Sequence, residues 1–305
     1  MLQTRVGALE LASPLLTASG TFGHDPAALR FLKTEDLGAL VLKTVTPEPR
    51  HGNPAPRMAE FTGGVLNAIG LENKGLAYWR DHVAPDLATL PVPVVANAGG
   101  HSVADYVAMT EAFDAMTGVA AIELNLSCPN VADGIQFSTE VAALEEVVAA
   151  CRKVTPKPMW VKLSPNVASI VPFAKAAESA GADALTVCNT LIGLLVDWKS
   201  QKPMIANGTG GMSGPAVKPL ALRMVWDSSR AVSIPVVASG GASTAADVLE
   251  FVVAGATAVQ IGTASFRRPD AISAIALELR ELLTENSTSL EELRASLRWP
   301  HPVSC

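Results

Sequence analysis

No uninterrupted apolar run in this chain reaches about 18 residues, the length a membrane-crossing helix needs, so the sequence predicts no membrane span. Residues 1–15 lack the basic start and apolar block of a secretory signal. Cysteine is scarce: Cys128, Cys151, Cys188 and Cys305 form no CxxC pair and no regular spacing. A disulfide framework is therefore not expected in a chain this large, a reducing cytoplasm is the natural setting, and a cluster-type iron–sulfur motif is absent. The five histidines show no HExxH or paired-ligand spacing, so no metal site is expected. Positive charge is also short, with 23 Lys and Arg against 29 Asp and Glu and a formal net charge of −6. That balance leaves no broad basic face and argues against a nucleic-acid partner. No linker or low-complexity tract interrupts the chain, and its 49% hydrophobic content can fill one large core. Residues 1–305 are read as a single domain.

What the chain does contain is a repeated unit. Short apolar runs recur, nearly every one ending in a polar residue or a glycine pair: Pro14–Ala18, Ala39–Leu42, Val92–Ala96, Ala121–Leu124, Trp160-Val161, Ala184–Cys188, Pro235–Ala238 and Ala258–Ile261. Continuous apolar runs of this length fit parallel strands buried on both faces. Between most of them lie helical patterns. Ser102 with Asp105 makes a capping pair for a helix over Val103–Met116, Ser243 or Thr244 opens another that Gly255 closes, and Gly181 follows a helical stretch Val167–Ala180. The expected fold is an α/β (β/α)8 TIM barrel. Two intervals are too long for a bare crossover and carry irregular Gly/Pro-rich stretches, His51–Asn73 and Asp197–Pro219, which predict insertions after strands two and six. Thr4–Leu11 alternates enough to form a short N-terminal hairpin across the barrel floor.

Active sites of such barrels lie at the C-terminal ends of the strands. The residues ending the runs, Ser19, Lys43, Thr44, Asn97, Asn125, Lys162, Asn189 and Thr190, therefore share one rim. Asn and Thr also end strands merely to bond local backbone. Lys43 and Lys162 follow apolar strands directly, where an ammonium needs an anion, and the only acidic residue near these ends is Glu123. They point to an anionic ligand. Gly240-Gly241 after the seventh run and Gly262-Thr263 after the eighth stand where barrels often hold phosphate, a signal shared with flavin-free sugar-phosphate enzymes. The run Asn207–Gly214 reads as a flexible glycine-rich loop, either a lid, a cofactor clamp or plain surface. Cys128, in the loop beyond the fourth run, could act as nucleophile or base; Cys151 and Cys188 read as buried and inert.

The combination resembles the class 1 dihydroorotate dehydrogenases over essentially the whole chain. The resemblance is carried by Thr17–Gly23, Leu42-Lys43-Thr44, Gly52–Arg57, Asn67-Ala68-Ile69-Gly70-Leu71, Asn125–Asn130, Val161–Pro165 and Ala206–Pro219, in order and on the predicted strand ends. It implies oxidation of dihydroorotate to orotate with FMN as first electron acceptor, in pyrimidine biosynthesis. Cys128 matches the catalytic base, which takes a proton from one ring carbon while the neighbouring carbon delivers hydride to the flavin N5. Lys43, Asn67, Asn125, Asn130, Asn189 and Thr190 match substrate-binding positions, with Ile69, Gly70 and Leu71 contributing backbone. Ser19, Lys43, Thr44, Asn97, Asn125, Lys162, Cys188, Gly214, Gly240, Gly241, Gly262 and Thr263 match FMN-binding positions. Lys162 suits that role because flavin reduction develops negative charge that a fixed ammonium stabilises.

The cysteine separates the chain from the membrane-associated class, which uses serine. Within class 1, Asn67–Leu71 and Gln136-Phe137 are more similar to the NAD-linked class 1B than to the fumarate-linked class 1A. In class 1B a separate subunit carries FAD and an iron–sulfur cluster. This chain has neither a GxGxxG dinucleotide fingerprint nor cluster cysteines, so the resemblance implies that partner, around a homodimeric core. The fumarate-linked class and a dihydropyrimidine dehydrogenase-like barrel remain the alternatives, with a flavin-free sugar-phosphate barrel as the reading from another class. His24-Asp25, Ser138 and the tail Trp299–Cys305 depart from the family pattern.

Overall fold

The computed structural model describes residues 2–23, 26–127 and 137–299. Eight parallel strands form one sheet: β1 Leu15–Thr17, β2 Leu40–Val41, β3 Val94–Ala98, β4 Ala121–Asn125, β5 Met159–Lys162, β6 Ala184–Val187, β7 Val236–Ser239 and β8 Ala258–Ile261. Their order is β1-β8-β7-β6-β5-β4-β3-β2. This is the expected (β/α)8 barrel, and all eight apolar runs supply a strand. Helices pack outside, among them Val103–Asp114, Val141–Arg152, Val171–Ser179, Lys218–Ser229, Ala245–Val253 and Ala271–Glu285. Ser102 and Asp105 form the expected reciprocal cap, as do Thr244 and Asp247. The helix expected over Val167–Ala180 starts only at Val171, just before Pro172 in its first turn. The residues before it are held instead by Asn166, whose amide donates to the Thr190 carbonyl at 3.1 Å and accepts from the Ile192 N–H at 2.9 Å.

A side chain completes the seam between β1 and β2. Strands β1 and β2 share a single bridge, Leu16 to Ala39, with Gly38 N donating to Leu15 O at 2.7 Å. Beyond it the ladder continues through the buried Thr17 hydroxyl, which donates to Val41 O at 2.9 Å and accepts from Val41 N at 2.8 Å. Both backbone groups of Val41 would otherwise face a dry barrel wall.

Inside, the barrel is dry at the bottom and polar towards the top. Val41, Val95, Ala121, Trp160, Val237 and Ala258 form an apolar cluster that Val6 and Leu11 close from below. Those two come from the expected hairpin, Thr4–Val6 paired with Leu9–Leu11. Further along the same strands the buried interior residues are Asn97, Glu123, Thr186 and Gln260.

The two expected insertions fold together. Met58–Phe61 and Gly64–Asn67 follow β2, Leu191–Leu194 and Thr209–Ser213 follow β6, and the four make one antiparallel sheet with Thr209–Ser213 inside it. This corrects the flexible-loop reading of Asn207–Gly214. A Cβ on Gly211 would stand 2.1 Å from the Thr190 hydroxyl, so glycine here marks close approach of packed strands rather than mobility.

Replacing Thr17 by valine keeps the shape but strands the Val41 N–H and C=O, each costing about 1–3 kcal/mol when buried unpaired. Urea denaturation of Thr17→Val is expected to show a loss of about 2–4 kcal/mol; a loss below about 1 kcal/mol would mean that the seam does not need the hydroxyl.

Candidate active site

The strand ends and the sheet from the insertions enclose a cavity of about 1150 Å³. Ser19, Lys43, Thr44, Asn67, Ile69, Gly70, Leu71, Asn125, Lys162, Cys188, Asn189, Thr190, Gly214, Gly240, Gly241, Gly262 and Thr263 all line it. Residues far apart in sequence thus meet around one cavity, as strand-end placement and the folded insertions require. Asn97 is the exception: it is fully buried behind the cavity surface, its amide donating to Glu123 at 2.6 Å. Cys128 and Asn130 lie outside the described residues.

Three of the rim residues and Ser127 are joined in a single directed chain. Asn189 Nδ2 donates to Ser127 Oγ at 2.6 Å, Ser127 Oγ donates to Asn125 Oδ1 at 2.6 Å, and Asn125 Nδ2 donates to Thr44 Oγ1 at 3.2 Å. Asn189 Oδ1 accepts from the Thr190 N–H at 2.8 Å. Each amide is oriented by its neighbours, because a hydroxyl that already donates to Asn125 can only accept from Asn189. From the opposite wall Asn67 Nδ2 donates to Gly211 O at 3.2 Å, across the seam between the two insertions. The result is a set of fixed donors and acceptors suited to a planar ring bearing amide groups.

Lys43 projects into the same wall. Burial pushes its pKa below the ordinary lysine value; Glu72 opposes the shift and Arg57 adds to it. Arg57 and Glu72 form an ion pair of their own at 2.5 Å, and both line the cavity. A desolvated ammonium gains most from an anion that enters the cavity, which makes Lys43 the natural seat for a carboxylate.

On the other side Lys162, almost fully buried, donates to Ser19 Oγ at 3.2 Å. Cys188 stands beside it with its thiol pushed up to about 12 by burial, the Lys162 charge acting the other way. Such a thiol stays protonated at neutral pH and serves as wall, not as base. Cys151, raised to about 11 by burial among the outer helices, is inert in the same way. Gly240 and Gly241 follow β7 at φ +134° and +89°. A Cβ on Gly241 would lie 2.8 Å from the Lys218 backbone nitrogen, at the start of the helix Lys218–Ser229. The bare backbone lines the cavity as a cradle, and Ser213, whose hydroxyl accepts from Thr263 Oγ1 at 2.8 Å, lines it too.

FMN, the cofactor that the resemblance implies, fits these residues. The glycine cradle has the bare backbone that a phosphate site needs, a buried ammonium lines the cavity, and the buried Asn97 Oδ1 has no partner among the described residues. Among the described residues no cluster of three or more His, Cys, Asp or Glu could hold a metal ion, and no helix is long and apolar enough to cross a membrane.

Sequence reasoning missed several cavity residues. Arg57 and Glu72 sit in the insertion, where no periodicity places a side chain. Ser127 was visible only as a neighbour of Cys128, and Asn166 stands just before the helix expected from Val167, where no pattern singled it out. The contact between Glu123 and Asn97 had a signal: a lone acid in an apolar run must meet donors inside the fold.

The chain has extensive relatives among known proteins. A family profile described as dihydroorotate dehydrogenase matches residues 1–283. The chain is 48% identical to the "Dihydroorotate dehydrogenase B (NAD(+)), catalytic subunit" of Trichlorobacter lovleyi, over 93% of this chain and 94% of that protein. It is 48% identical to the protein of the same name from Pelobacter propionicus, over 92% and 93%. The Geobacter metallireducens protein of that name is 46% identical, over 97% and 98%.

Gly241→Ala puts a Cβ against the Lys218 backbone at a φ that L residues avoid. The variant is expected to retain less than a tenth of the wild-type flavin after gel filtration, read by visible absorbance; full retention would remove the cradle from cofactor binding.

Proposed function

The chain belongs to the dihydroorotate dehydrogenase family, and from that premise we propose that it is the catalytic subunit of an NAD-linked enzyme. It is an oxidoreductase that acts on the CH–CH bond of dihydroorotate and forms orotate in pyrimidine biosynthesis. The observation that carries this reading is the Asn189–Ser127–Asn125–Thr44 chain with Lys43 beside it on one cavity wall. Dihydroorotate is a ring of amide groups with one carboxylate, and this wall offers oriented amides and one desolvated ammonium.

In the proposed mechanism, Lys43 holds the substrate carboxylate, and Asn67, Asn125, Asn130, Asn189 and Thr190 fix the ring by its amide groups. Ile69, Gly70 and Leu71 wall it from water. Cys128, which follows the cavity-lining Ser127 directly in sequence, takes the ring proton as general base. FMN, when bound, supplies the acceptor for the hydride equivalent. Lys162, held by Ser19, sets a fixed positive charge against that side of the cavity, and the Gly240-Gly241 and Gly262-Thr263 backbones with Gly214 hold the phosphate end. Because oriented groups are already in place, little reorganisation remains for the chemical step.

Electrons then leave for NAD through a second subunit that carries FAD and an iron–sulfur cluster, docked on a homodimer of this chain in the cytoplasm. What supports a second subunit is the name of the relatives, each a catalytic subunit. The isolated chain is expected to reduce its flavin with dihydroorotate yet leave NAD unreduced until the partner is added. Efficient turnover of fumarate by the isolated chain would overturn the NAD-linked assignment.

Cys128→Ser is expected to slow flavin reduction by dihydroorotate about a hundredfold or more while FMN stays bound, since serine is a far weaker base near neutral pH. Stopped-flow absorbance reads the rate. A near-normal rate would take the base role away from Cys128.

A further inference from the structure

Glu123 projects into the barrel from β4 with no exposed surface. Its carboxylate meets three donors and no cation among the described residues: Asn97 Nδ2 at 2.6 Å on Oε1, and Thr186 Oγ1 at 2.6 Å with Gln260 Nε2 at 2.8 Å on Oε2. A carboxylate that accepts from an amide forces the NH2 end of that amide towards it. The carbonyl end must then face away. Asn97 Oδ1 and Gln260 Oε1 are indeed both left buried with no partner among the described residues. Unpaired buried acceptors are costly and call for a donor from outside the protein.

Resting on the FMN reading above, we infer that Glu123 is a positioning residue: it fixes the Asn97 amide so that the site presents an acceptor, not a donor, to an N–H of the bound ring. It also sets a buried negative charge beside the strand that carries Lys162. In the register of β4 with β5, Glu123 pairs with Trp160 and Asn125 with Lys162, so the two opposite charges enter the barrel from neighbouring strands one step apart. Glu123 tunes the charge balance there without touching substrate.

The atoms make the consequence of Glu123→Gln specific. The new NH2 replaces either Oε1, where one partner must turn, or Oε2, where two must. The first requires less, so Asn97 flips and aims a donor where an acceptor stood. A double variant, Glu123→Gln with Asn97→Asp, restores the pattern. The introduced carboxylate accepts from the new amide through one oxygen and keeps the other for the ring, with the net charge unchanged.

The test measures FMN dissociation by fluorescence and the midpoint potential of bound FMN by dye titration, for the wild type and each variant, with circular dichroism to check folding. Glu123→Gln is expected to weaken FMN binding about tenfold and to raise the potential, because a nearby negative charge is gone. The double variant is expected to recover most of the affinity, which a merely structural role would not produce. Wild-type affinity and potential in Glu123→Gln would overturn the inference while leaving the FMN reading intact; a wild-type chain that takes up no FMN would overturn both. Should Glu123→Gln fail to fold, Asn97→Leu carries the test: it removes the acceptor alone, and unchanged FMN affinity there would likewise overturn the inference.

Discussion

A closed parallel barrel must satisfy the backbone groups along every seam, and between the first and second strands of this protein part of that requirement falls on the Thr17 side chain. Its hydroxyl takes the place of a missing rung between β1 and β2, bonding both backbone groups of Val41. Everything else in the site presupposes that closure. Lys43 and Thr44 follow β2, Ser19 follows β1, and the ligand-facing surface exists only while those two strand ends stand side by side. One short polar side chain in an otherwise apolar strand therefore helps hold these neighbouring strand ends in register.

Above this seam the interior changes character in steps. The lowest layer is aliphatic and aromatic, the next is a buried polar cluster around Glu123, and the top opens to the cavity with Lys162 and the asparagine chain. This grading lets charged groups exist in the barrel at all. Each sits on a polar neighbour rather than on hydrocarbon, and the dry layer beneath keeps water from entering through the floor.

The fold was legible because eight continuous apolar runs, nearly all ending in a polar residue or a glycine pair, carry their own end signals. Capping pairs such as Ser102 with Asp105 even fixed where helices begin. The rim residues were legible for the same reason: in this architecture a strand end is also an address. Two things were not. The register that sets Gly211 against Asn67 comes from pairing of segments 144 positions apart, so local reading saw only a glycine-rich loop. The inward partners of Glu123 depend on barrel shear, which places Gln260 of β8 and Thr186 of β6 around a residue of β4. Side-chain meetings of this kind are geometric facts of closure and leave no trace in spacing along the chain.

The sheet made from both insertions has a further meaning for how such an enzyme can diversify. Neither insertion can slide by one residue against the other without turning its own side chains to the opposite face. The roof of the cavity is thus inherited as a matched pair, and change in ligand preference has to arise through side-chain exchange on a frozen frame or through simultaneous remodelling of both halves.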